Sequence, residues 1–156
     1  MMPTFFNGRQ MPEDLKTGQG GVPWSDDQYC MVCGKANPIG LKLEFHIEGR
    51  DLVTEWTAEK RFQGYADVLH GGMISTILDE TMVNLPWKRD GVPVISAELN
   101  VRFIKPAKIG DKLIFRAEAD DVSKRIISTK GICKTADGTL IAEATAKCVK
   151  IKNPNL

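Results

Sequence analysis

No stretch of this sequence approaches the roughly 20 consecutive apolar residues that a membrane-spanning helix needs. An excess of charge of one sign is missing too. The 21 basic and 20 acidic side chains leave a formal net charge of +1. There is no dense basic run to mark a nucleic-acid surface, and no polybasic or amphipathic segment to serve as a membrane anchor. Four cysteines are too few for a disulfide framework in a chain of 156 residues. The opening residues, Met1-Met2-Pro3-Thr4-Phe5-Phe6-Asn7, lack the charged start and apolar run of a secretory signal. A cytoplasmic protein with reduced thiols is expected.

Histidine is scarcer still, at two, so a Ser-His-Asp triad would rest on His70 alone. Ser75, Ser96, Ser123 and Ser128 stand outside any Gly-x-Ser-x-Gly elbow. The Gly-x-x-x-x-Gly-Lys-Ser/Thr phosphate loop is absent. Internal repeats and low-complexity tracts are absent as well, and the length suits a single domain.

What the chain does have is one convincing long helix. Met73, Ile74, Ile77, Leu78, Met82 and Leu85 recur at steps of three and four, the mark of one buried stripe. The pattern predicts a helix from His70 to Leu85, about 24 Å long, stopped by Pro86. Upstream, residues 1 to 28 carry scattered glycine and proline with little periodicity. They read as an extended arm, with a helical turn near Pro12 to Lys16 and with Phe5, Phe6 and Trp24 available to pin it.

The folded domain is expected over residues 29 to 152. Leu41, Leu43, Phe45 and Ile47 alternate with polar residues, as in a half-buried strand, leaving His46 on the solvated side. Leu52 to Thr57 returns as a hairpin partner. After the helix come four strand-like runs, Val94–Lys105, Lys112–Val122, Arg125–Thr135 and Leu140–Lys150, the last two joined by the turn Ala136-Asp137-Gly138-Thr139. Strands before and after one long helix predict an α+β domain with an antiparallel sheet wrapped on that helix. Its uncovered edge hints at dimerisation sheet to sheet.

Three features carry chemistry. The helix start, His70-Gly71-Gly72, offers backbone N–H groups and the positive end of the helix dipole, where an oxyanion is stabilised. A glycine pair needed only for close packing is the competing reading. The second feature is Asp79-Glu80, two adjacent carboxylates in an apolar helix, either a site or two solvated side chains. Asp79 follows Gly72 by about 10 Å of helical rise, too far for both to serve one carbonyl within one chain. The third is Cys30-x-x-Cys33-Gly34. Structural zinc wants four nitrogen or sulfur ligands, but Cys133, Cys148 and His46 lie singly in apparent strands and His70 belongs to the helix start. A redox pair would head a helix, whereas Asn37-Pro38-Ile39-Gly40 is a turn sequence. The knuckle is read as a tight structural loop, with no metal assigned.

The spacing Gly64-x5-His70-Gly71-Gly72-x6-Asp79-Glu80 resembles the hotdog-fold acyl-CoA thioesterases of the phenylacetate-pathway (PaaI-like) type. The likeness continues through Ser96 to Asp111, with its Pro106-Ala107-x-x-Gly110-Asp111 turn, and the Cys30 to Leu41 opening is similar to one subgroup. The resemblance implies a hotdog fold: one long central helix wrapped by an antiparallel five- to six-stranded sheet. It also implies homodimers, often paired into tetramers, with active sites at the dimer interface.

In such a site Asp79 would act as nucleophile or general base. Gly71 of the other subunit would polarise the thioester carbonyl, His70 would position the loop, and Ser96 would assist. Many members carry Asn where this chain has Gly64, so the neighbouring Gln63 is the candidate replacement. Gly72, Arg102, Lys105 and Lys108 are candidates for holding coenzyme A, with Lys124 and Arg125 behind them. Phe62, Tyr65, Trp87 and Phe103 are candidates for an acyl pocket. No cofactor is implied beyond the coenzyme A of the substrate. Two other functions remain open: a non-catalytic acyl-CoA-binding module, and a hotdog hydratase or dehydratase.

Overall fold

The structure, a computed structural model, describes residues 26–151 and the backbone of Phe5, Phe6, Arg9 and Gln10. Those four residues form an antiparallel pair of β1 (Phe5–Phe6) with β2 (Arg9–Gln10). The helical turn expected near Pro12, the pinning side chains of the arm and the domain boundary at residue 152 lie outside the described residues. The other elements are β3 (His46–Glu48), β4 (Asp51–Thr57), a 3-10 turn (Lys60–Phe62), α1 (Gly71–Asp90), β5 (Val94–Phe103), β6 (Lys112–Val122), β7 (Ile126–Thr135) and β8 (Leu140–Lys150). Strands β3 to β8 form one antiparallel sheet in the order β3-β4-β6-β7-β8-β5. The sheet wraps α1, as expected.

The helix lies on the sheet because the sheet is shallow beneath it. Ala117, Gly131, Ala144 and Val101 are register partners across β6, β7, β8 and β5. A Cβ added to Gly131 would come 3.0 Å from Met82 Sδ and 3.2 Å from Leu78 Cδ2. Those two side chains, with Ile74, Ile77 and Leu85, form the buried stripe of α1. Leu113 and Phe115 of β6 and Ile141 of β8 fill the same core.

Two boundaries differ from the sequence expectation. Pro86 does not stop the helix. It sits inside α1, buried, and the helix runs on to Asp90. A proline forfeits one backbone bond and crowds the preceding turn, but here Leu85 and Pro86 both bury their side chains. The helix ends instead at Gly91, whose φ of 68° suits a left-handed C-cap. Its amide donates to Trp87 O at 2.9 Å.

The strand expected over Leu41 to Ile47 is reduced to β3. Lys42 takes a left-handed φ of 55°, and the amides of Leu41 and Leu43 bond to Met31 O and Val32 O, each at 2.9 Å. The backbone of this segment thus serves the cysteine loop rather than the sheet. His46 is exposed, as expected, and pairs with Glu48 at 3.0 Å.

No helix among the described residues is long and apolar enough to cross a membrane. Gly131→Val forces a branched side chain into Met82 and Leu78. Overpacking of this kind costs about 1–3 kcal/mol, and equilibrium denaturation is expected to show a loss of that size.

Candidate active site

The start of α1 is presented by a loop closed on itself and tied to the turn after β5. Gly64 N–H donates to Val68 O, His70 N–H to Phe62 O, Leu69 N–H to Ala107 O and Ile109 N–H to Asp67 O, all within 2.8–3.0 Å. His70 is the N-cap: its Nδ1 accepts the Gly72 N–H at 2.8 Å. That bond fixes the neutral ring as the tautomer with its proton on Nε2. It also alters the reading of Gly72, whose amide is used by the cap and not offered to a ligand. The Gly71 amide, by contrast, takes no partner among the described residues.

Gly71 lacks a side chain for a local reason. A Cβ there would come within 3.2 Å of the Phe103 ring. Gly71, Leu69, Ile74, Phe103, Ile104 and Lys105 line part of a groove of about 340 Å³. Lys105 is the one charged residue in this otherwise apolar lining, a composition typical of small-molecule sites.

Farther along the helix, Asp79 is half-buried and accepts a 2.5 Å hydrogen bond from the Ser96 hydroxyl at the start of β5. Burial raises its pKa above the usual carboxylate value, the Ser96 bond opposes that rise, and the charge of Glu80 adds to it. Glu80 points elsewhere. Its Oε1 accepts from Cys33 Sγ at 3.0 Å, Cys30 Sγ at 3.3 Å and Asn84 Nδ2 at 2.9 Å. Neighbours on a helix diverge by about 100°, so the carboxylate pair faces two surroundings.

Of the other residues read from the sequence, Gln63 is bridged to Leu69 beside the cap. Its Oε1 accepts the Asp67 amide at 3.2 Å, which leaves its NH2 end as the group it can offer. Lys105 reaches the Gly71 groove, and Lys105 and Lys108 both border a cavity beside the turn after β5. Arg102 does not join them; it pairs with Glu143 across the sheet at 3.3 Å.

Among the aromatic candidates, only Phe103 is brought to Gly71. Phe62 packs against Trp56 with ring centroids 5.7 Å apart, and Tyr65 is 89% exposed. The thiol contacts of Glu80 were missed by sequence reasoning, which sought zinc partners among cysteine and histidine alone.

The model of the thioesterase superfamily matches residues 66–142, a span that holds α1, β5, β6 and β7. Acyl-coenzyme A thioesterase 13 of Homo sapiens is 30% identical over 95 residues, covering 59% of this chain and 67% of that protein. The chain belongs to the thioesterase superfamily. A hypothetical thioesterase from Streptococcus pneumoniae, crystallised with coenzyme A, superposes with a TM-score of 0.64 at 16% identity, over 69% of this chain and 84% of that one. A putative thioesterase from Ralstonia eutropha, related to phenylacetic acid degradation, gives a TM-score of 0.64 at 24% identity, over 86% of this chain and 96% of that one. As a member of the superfamily, this chain has a hotdog fold and is a thioester hydrolase.

Its helix cap can be tested apart from its chemistry. His70→Ala removes the side-chain acceptor for the Gly72 amide, and lost caps cost about 0.5–2 kcal/mol. Chemical denaturation is expected to show that loss, with His70→Asn, itself a good cap, recovering most of it.

Proposed function

We propose that the protein hydrolyses acyl-CoA to a free acid and coenzyme A, at sites built from two copies of the chain. The observation that carries this is the Asp79 carboxylate, half-buried and held by Ser96, on the same helix that presents the Gly71 amide. Eight residues separate the two, about 12 Å of rise, so one copy cannot apply both to one carbonyl. Strand β5 carries Ser96 and Phe103 and pairs only with β8 among the described residues. Pairing β5 with its counterpart in a second copy joins two sheets and lets Asp79 of one copy face Gly71 of the other.

In that arrangement the thioester carbonyl accepts the Gly71 N–H, and the helix N-terminus stabilises the oxyanion. Ser96 occupies Asp79 Oδ1, leaving the other oxygen to take a proton from water. The water oxygen bonds to the carbonyl carbon. The intermediate then collapses with cleavage of the carbon–sulfur bond, and the thiolate of coenzyme A departs and is protonated. His70 holds the loop through its cap and turns its Nε2–H outward. Gln63, through its NH2, helps hold the water. Lys105 and Lys108 attract the phosphates of coenzyme A, with Arg102 contributing less because Glu143 already engages it.

No cofactor or metal takes part in the reaction. The active form is a homodimer, alone or paired into a dimer of dimers, working in the cytoplasm. The names of the relatives support the acyl-CoA assignment.

Thiol release from a panel of short, long and aryl acyl-CoAs tests the proposal. Wild type is expected to turn over, and Asp79→Asn to lose about 10²–10⁴-fold, the range for removing a general base, with fold and oligomer intact. Full activity in Asp79→Asn would sink the assignment of Asp79. A wild type that binds acyl-CoA without turnover would instead favour the non-catalytic module.

Gly71→Ala drives a methyl group into Phe103 and shifts the oxyanion donor. Its kcat is expected to fall by up to about 10²–10³-fold, and sedimentation should still find dimers or tetramers.

A further inference from the structure

The cysteine loop takes no part in the proposed hydrolysis, yet it is built with care. Gly34 N–H donates to Cys30 O and Ala36 N–H to Gln28 O, both at 2.9 Å. Val32 N–H donates to Cys30 Sγ at 3.3 Å, the kind of amide-to-sulfur bond that supports a thiolate. Gly34 admits no side chain, since a Cβ would lie 2.3 Å from Cys30 N and 2.5 Å from Gln28 O. Buried Asn37 closes the turn, donating to Tyr29 O at 3.1 Å and accepting from Ile39 N at 3.1 Å. The result aims two sulfurs at one carboxylate oxygen in the middle of α1. Cys30 Sγ, Cys33 Sγ and a Glu80 oxygen all lie within 4.8 Å of one another.

We propose that Cys30, Cys33 and Glu80 form a zinc site that pins the cysteine loop to α1, with water as the fourth ligand and Asn84 hydrogen-bonded to Glu80. Zinc–sulfur bonds of about 2.3 Å and a zinc–oxygen bond of about 2.1 Å require sulfurs about 3.8 Å apart and sulfur–oxygen distances of about 3.6 Å. The present sulfur–oxygen distances, 3.0 and 3.3 Å, need to open by about half an ångström to meet the sulfur–oxygen requirement, and the two sulfurs already lie within 4.8 Å of each other. Two thiolates select zinc over magnesium or calcium, and the carboxylate disfavours copper(I).

Binding releases one proton from each thiol. Two neutral thiols with one carboxylate carry the same charge, −1, as two thiolates, one carboxylate and Zn²⁺. Loading the site therefore adds no net charge next to Asp79, which suits an ion held beside a carboxylate used for chemistry. The ion would close a loop of about fifty residues, from Cys30 to Glu80, where two weak S–H donors now do so.

Cobalt(II) titration of the full, reduced chain tests the site, because tetrahedral thiolate coordination gives strong sulfur-to-cobalt charge transfer and visible d–d bands. One equivalent is expected to bind, and zinc should displace it and raise the Tm. Cys33→Ala and Cys33→Ser should lose the charge-transfer band while circular dichroism reports a folded protein. Glu80→Gln should shift the d–d bands, and Cys133→Ala, altered only in β7, should leave the spectrum unchanged. Folded wild type without charge transfer would overturn the proposal. So would a band that survives in folded Cys33→Ser, or a Glu80→Gln spectrum identical to wild type. Each of these readouts is independent of thioester turnover.

Discussion

Everything at the two candidate centres depends on how closely α1 approaches the sheet. The small residues Ala117, Gly131 and Ala144 are register partners across β6, β7 and β8, and Leu78 and Met82 fill the space that a Cβ on Gly131 would take. Side chains of ordinary size there would lift the helix off the sheet. Lifting it would part Asp79 from Ser96 on β5 and Gly71 from Phe103 farther along the same strand. The geometry of both candidate centres is thus a packing result before it is an electrostatic one, because close-packed interiors respond to changes as small as a methylene group.

The adjacent carboxylates show how one helix serves two purposes. Helical geometry turns Asp79 toward the start of β5, where a serine holds it, and turns Glu80 toward the cysteine loop, where two thiols hold it together with Asn84 from the next turn of α1. Burial favours the protonated form of Asp79, and the serine bond works against burial. Burial and Glu80 also keep the Cys33 thiol well above its ordinary pKa, so Cys33 meets the carboxylate as a neutral thiol. Cys133 and Cys148 lie in the strands, where burial pushes their thiols up to about 12 and about 11. They act there as small core residues.

The loop before α1 gives the helix start its precision. It bonds to itself and to the turn after β5 through backbone hydrogen bonds, and Gln63 Oε1 adds a side-chain bond to the Asp67 amide. His70 then settles which helix amide remains for a ligand: Gly72 is capped, and Gly71 faces the groove.

Local periodicity made much of this protein legible from its sequence. The apolar steps from Met73 to Leu85 mark α1, and the alternation of Leu113, Phe115 and Ala117 marks β6 with its observed limits. The His70-Gly71-Gly72 and Asp79 spacing pointed to the family. All of these signals lie within one helix or one strand, where backbone geometry alone relates the residues. Only the tertiary structure decided that helix formation continues through Pro86, because burial of Leu85 and Pro86 outweighs a local breaker signal. It alone set Arg102 against Glu143, bent Leu41–Phe45 away from the sheet and gave Glu80 to the two cysteines. Cys30 and Glu80 stand fifty residues apart, and chain spacing carries no information about which distant side chains packing will bring together.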